Sequence, residues 1–130
     1  MGIEAEIFAR AQAVAGLTAL VGTRFYPTTA PQGATVPYCV FTLLSSSPHH
    51  TMGSDSSLTE ASYEVTCYAA DADAATALAV QVKAAFSRYS GTPVALVIQD
   101  VLLEDEDAGF DIDTTRHYRD LNFVFWFLES

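Results

Sequence analysis

Near its end the chain runs DLNFVFWFLE (Asp120 to Glu129), a stretch that alternates with a period of two yet is apolar on both faces. Extended, it turns Leu121, Phe123, Phe125 and Phe127 one way and Val124, Trp126 and Leu128 the other. A strand of a half-solvated antiparallel sheet sets an apolar face against a polar one, so this strand asks for cover on both sides. The chain looks short of helices to supply it. That mismatch points to a surface completed by other protein chains, and to assembly rather than chemistry.

At 130 residues the chain is long enough for one domain that needs no disulfide or metal staple. Cys39 and Cys67 both lie in strand-like apolar runs, outside any C-x-x-C spacing. They read as buried free thiols, with a pairing across adjacent strands as the alternative. No signal peptide is visible, which favours a reducing compartment, the cytoplasm by default. Sixteen acidic against six basic residues leave a formal charge of −10. Each phosphate contact wants its own Lys or Arg, so nucleic acid is excluded as a tight ligand. No apolar run approaches the ~20 residues that cross a bilayer.

Ile3, Ile7, Phe8, Val14 and Leu17 recur at roughly helical spacing, with Glu4 and Glu6 in the first turn to complement the dipole. Gly16 is expected to interrupt this helix, and LTALVG (Leu17 to Gly22) to form a short helical turn closed by a left-handed glycine. An extended piece follows at Thr23 to Tyr26. Pro27, Pro31, Gly33 and Pro37 then mark an ordered loop. Tyr38 to Leu44 reads as a strand, Ser45 to Ser57 as a mobile serine-rich hairpin tip, and Glu60 to Tyr68 as the next strand. Asp71 caps an alanine-rich helix whose stripe is Ala75, Leu78, Ala79, Val82, Phe86 and Tyr89, ended by Gly91, with Gln81, Lys83 and Arg88 toward water. Val94 to Leu103 is a fourth strand, and an acidic segment leads into the last one at about Thr115. The expectation is a single α+β domain over 1–130, in the order α-β-β-β-α-β-β, with a mainly antiparallel sheet of four or five strands and two main helices.

The acidic segment holds Glu104, Asp105, Glu106, Asp107, Asp111 and Asp113. Its spacing fails a calcium loop: with Asp105 first, Gly109 falls fifth, Phe110 sixth and Arg116 twelfth, where a bidentate carboxylate belongs. A solvated inter-strand loop is the plain reading. The alternative from a different class is a small cytoplasmic metal- or ligand-binding domain using loop 104–113. His49, His50 and His117 show no metal-ligand spacing, and either cysteine paired with His117 as a nucleophile would sit where a thiolate is disfavoured. No catalytic residue, cofactor or metal ligand is assigned. Tyr38, Val40, Leu44, Tyr68, Val124, Trp126 and Leu128 are expected to align on the sheet side opposite the alanine-rich helix. They form a candidate protein interface unless the first helix covers them.

Taken together, LTALVGTRFYP (Leu17 to Pro27), PQGATVPYCVF (Pro31 to Phe41), YEVTCYA (Tyr63 to Ala69), the alanine-rich helix and RDLNFVFWF (Arg119 to Phe127) resemble small tail-completion proteins of long-tailed bacteriophages and prophages, also called tail terminators or head-tail joining proteins. The resemblance implies a subunit that closes into a ring, commonly a hexamer, at the head-proximal end of the tail tube, with the tube protein and a neck or head-closure protein as partners. It implies a virion component assembled in the host cytoplasm, no enzyme and no membrane partner. A head-closure or adaptor protein of the same neck is the nearest rival. DNA would pass through such a ring without adhering, and Glu104, Asp105, Glu106, Asp107, Asp111 and Asp113 are candidate lumen acids that would repel phosphates.

Overall fold

Apolar alternation and helical stripes translate into one five-stranded sheet with three helices, seen in a computed structural model that describes residues 3–31, 33, 35–51, 54–93, 97–112 and 115–128. Side chains are described for all of these except 47–51 and 54–58. The elements are α1 (Ile3–Ala13), α2 (Ala15–Val21), β1 (Phe25–Pro27), β2 (Tyr38–Thr51), β3 (Ser54–Ala69), α3 (Ala72–Phe86), β4 (Val97–Asp111) and β5 (Arg116–Leu128). Across the sheet the order is β1-β2-β3-β5-β4. The α+β expectation holds, with one refinement: β1 runs parallel to β2, so the otherwise antiparallel sheet is mixed.

Helix breaks follow local sterics. The interruption falls at β-branched Val14, extended at φ −98° and ψ 108°, rather than at Gly16. Gly16 lies inside α2, where a Cβ would strike the Gln81 carboxamide of α3. Gln81 lies partly buried over Gly16 instead of facing water. Gly22 closes α2 at φ 58° and ψ −122°, a positive-φ geometry other than the left-handed helical one expected. Asp71 caps α3 as its sequence position implies, its carboxylate accepting from the Ala74 N–H at 2.7 Å. The helix ends at Phe86, before Gly91. Arg88 adopts a positive φ of 60°, and Gly91 bridges to Ile98.

All three helices contribute to one core on one sheet face. Ile7 and Ala11 of α1, Leu17 and Val21 of α2, and Leu78, Val82 and Phe86 of α3 join Cys39, Phe41, Tyr63, Val65, Cys67, Leu121, Phe123 and Phe125 in a single buried cluster. Arg10 of α1 donates from Nε to the Ala85 carbonyl at 2.8 Å, tying the first helix to α3. Phe86 is the hub, its ring 5.8–6.0 Å from those of Phe25, Phe123 and Phe125. Glu6, expected to serve the helix dipole, is fully buried, whereas Phe8 is exposed. Cys39 and Cys67 stand opposite each other on β2 and β3 as buried free thiols with sulfurs 3.6 Å apart.

Two segments read as loops are strand. Ser45 to Thr51 extends β2 and Ser54 to Ser57 begins β3, so the serine-rich stretch is a paired ribbon, with Met52 and Gly53 outside the described residues. Glu104 to Asp111 continues β4, paired residue by residue with β5 from Asp105↔Asn122 to Asp111↔Arg116. Asp113 and the expected start of the fourth strand, Val94 to Leu96, lie outside the described residues.

Candidate assembly surface

With every helix on one side, the other face of the sheet is left to side chains alone, and strand register sorts these into rows. The first row crosses the sheet as Tyr38, Tyr68 and Tyr118. Tyr38 and Tyr68 stack at 5.0 Å between ring centroids, Tyr68 and Tyr118 meet at 6.1 Å, and Tyr26 of β1 extends the row at 6.0 Å from Tyr38. Gly109 of β4 ends it, because any Cβ there would collide with the Tyr118 phenol. Arg116 reaches to the same row, donating from Nη1 to the Tyr38 hydroxyl at 2.6 Å. Burial and neighbouring phenols and carboxylates lift the Tyr68 hydroxyl above its ordinary value.

The next rows are polar. Val40, Thr66, Asp120 and Asp107 stand in one; Thr42, Glu64, Asn122 and Asp105 in the other. Thr66 donates its hydroxyl to Asp120 at 2.7 Å. The Glu64 carboxyl is pushed up, first by desolvation and then by the charge of Asp120. The Asn122 Oδ1 atom is buried and has no hydrogen-bond partner among the described residues.

Beyond this belt the face turns apolar again. Ser62 pairs with Val124, which pairs with Leu102, and Leu44 sits in the β2 bulge beside them. Glu60 and Trp126 follow, then Leu128. Leu44 is 55% exposed while Val124 is 4% exposed, so the patch combines an outward-standing leucine with a floor already packed by its neighbours.

The seven residues expected on this side are therefore on one face but not in one patch. Tyr38, Val40 and Tyr68 stand at one end; Leu44, Val124, Trp126 and Leu128 stand at the other, with Glu64, Thr66, Asp120 and Asn122 between. The sequence reading missed this belt, and also Tyr26, Tyr118 and Gly109. A tyrosine near one end of each of three strands was the available signal, but only the register makes it a row.

The six acids are likewise divided. Alternation along β4 sends Asp105, Asp107 and Asp111 to the open face and Glu106 to the helix face. There Glu106 accepts from Lys83 at 2.9 Å and Arg119 at 2.8 Å, and the two cations hold its carboxyl below the usual range against a smaller opposing effect of burial. Glu104 is exposed at the second β4 bulge, lining a shallow hollow with Leu44, Ser62 and Asn122. Among the described residues no group of three or more His, Cys, Asp or Glu could hold a metal. Burial pushes the Cys39 thiol up, aided by a hydrogen bond to Cys67, so the thiolate a nucleophile needs is disfavoured. The geometry offers an acid-belted contact surface.

No curated protein sequence matches the chain. Among solved structures, a chain from the virion of a native gene transfer agent particle superposes with a TM-score of 0.75 at 18% identity, covering 98% of this chain and 95% of that one. This likeness establishes the shared fold. A protein-family model described as tail completion protein gp17 matches residues 5–127, nearly the whole chain. The chain belongs to the tail completion protein gp17 family of phages.

Proposed function

We propose that this structural phage protein is the tail terminator. Copies close into a ring, hexameric by the family resemblance, at the head-proximal end of the tail tube, where the ring stops tube growth and joins tail to neck. The observation that carries this reading is the sheet face that no helix covers. Its apolar end, Leu44, Val124, Trp126 and Leu128, offers the desolvated centre of a protein contact, and the belt of Glu64, Asp120 and their neighbours its polar rim. The ribbon formed by the ends of β2 and β3 reaches past the last β5 pair, Leu58↔Leu128, and is suited to docking on a tube or neck protein. Where the ring's channel admits DNA, Asp105, Asp107 and Asp111 with Glu64 and Asp120 supply a wall that repels phosphate, and Glu106, committed to two cations, does not.

The test combines light scattering after size exclusion with images of recombinant tail tubes. Tubes grown with the chain should carry a ring at one end and stay short; tubes of unchanged length with bare ends would refute the reading. Deleting the ribbon should spare folding and abolish joining.

A further inference from the structure

β4 is the last strand of the sheet, and its outer edge is covered only in part. The Arg88 amide donates to the Val101 carbonyl at 2.7 Å, and Gly91 exchanges two hydrogen bonds with Ile98, at 2.9 and 2.7 Å. Ile98 and Val101 therefore turn their backbone groups away from β5. Carried across the bulge at Glu104, the same alternation turns Glu106, Ala108 and Phe110 outward. Among the described residues nothing pairs with this stretch. A run of unpaired N–H and C=O groups on a long edge is a template for an added strand.

The side chains along the edge state what kind of strand fits. Asp105 and Asp107 are exposed on the open face, and among the described residues neither meets a cation, Asp105 accepting from the Asn122 amide. On the helix face lie Ala108 and Phe110, the latter 49% exposed. A second copy is a poor source of the missing positive charge, because it brings a net charge of −10 to an acidic edge and its six Lys and Arg side chains already have partners, three of them carboxylates. Arg10 holds the Ala85 carbonyl and the Tyr89 ring, Arg24 the Leu20 and Pro37 carbonyls, and Arg88 Asp100. Lys83 and Arg119 hold Glu106, and Arg116 holds Tyr38.

We propose that the β4 edge from Leu103 to Asp111 takes up an extended segment of a different protein as a sixth strand, with Lys or Arg over Asp105 and Asp107 and apolar residues between them over Ala108 and Phe110. The inference rests on the terminator reading only in making that protein a tail or neck component. A bound cationic strand neutralises Asp105 and Asp107, and any channel wall then rests on Asp111, Glu64 and Asp120.

The probe is a synthetic nonapeptide of alternating lysine and valine, compared with an analogue of equal charge that is N-methylated at every second amide. The peptide should bind the full chain at low salt and slow hydrogen exchange at the amides of Glu106, Ala108 and Phe110. The methylated analogue should bind about tenfold more weakly or worse, since the shared charge remains and the backbone pairing is lost. Ala108→Pro removes an outward N–H and no ladder bond to β5, and should weaken the peptide about as much as methylation does. Equal binding of both peptides would reduce the effect to plain charge attraction and overturn the proposal. So would no binding, which would make the acids guards against edge pairing, or protection of the three amides when the chain merely self-associates. Capped tubes whose edge amides still exchange freely would sink the sixth strand and leave the terminator standing; peptide uptake by a chain that never caps tubes would do the reverse.

Discussion

Two glutamates show how placement on opposite faces of one sheet sets opposite signs of pH dependence. Glu106 lies between Lys83 and Arg119, so its folded carboxyl titrates below the ordinary value. Its contribution is complete above the ordinary carboxylate range and is lost as pH falls through the lowered folded value. Glu106→Gln should cost about 1 kcal/mol at pH 7, a figure kept small by solvent at the rim, and the gap from the native chain should close in acid. Glu64 behaves oppositely. Its raised carboxyl makes ionisation costly, so stability falls as pH rises from the ordinary value through the raised one. Glu64→Gln should therefore stabilise by about 0.5 kcal/mol at pH 7 and by nothing in acid. The new amide would stand across from Asn122, whose buried Oδ1 lacks a donor among the described residues. Urea unfolding of both variants across pH 3 to 8 checks the two signs at once; parallel curves for native and variant chains would contradict the assignment.

Elements were legible in the sequence where one local rule sufficed. The Asp71 cap, the apolar stripe of α3 and the strict alternation of β5 each reappear in the structure because capping and periodicity act within one element. The rest depended on neighbours that no local pattern names. Glu104 to Asp111 reads as a solvated loop because its charges outweigh strand propensity, yet pairing with β5 and the Lys83–Glu106–Arg119 group hold it as strand. Ser45 to Ser57 has Met52 as its only large apolar residue, and in the described parts on either side of it strand pairing supplies what composition does not. α3 stops at Phe86, whose ring packs under the sheet against Phe25, Phe123 and Phe125, because Ser87 turns extended at φ −63° and ψ 122°; Arg88 then takes a positive φ and the chain goes on to meet the β4 edge. Phe86→Ala should therefore cost about 3–5 kcal/mol, and Phe86→Leu less than about 2, read from urea midpoints at constant slope. Equal costs for the two would mean that the hub is not closely packed.

For the whole molecule, the distribution of helices decides which surface is available for assembly. Three helices and the apolar side chains of β5 that face them consume one side, so the greasy alternation of the last strand is half satisfied within the chain and half turned outward. Trp126, the chain's single tryptophan, stands in the outward half and is a native reporter of what happens there. If this face closes the ring or seats it on the tube, Trp126 emission should move to shorter wavelength on assembly and its quenching by acrylamide should fall. A charge in the same patch should block the event: Leu44→Asp, at a residue 55% exposed, should leave the unfolding midpoint within about 0.5 kcal/mol yet weaken assembly by about 2 kcal/mol or roughly thirtyfold. Val80→Asp provides the contrast, since Val80 is 49% exposed on the helix layer and should tolerate the charge in both assays. Assembly that left Trp126 emission unchanged and was blocked by Val80→Asp instead would move the contact to the helices and leave the open face to solvent and DNA.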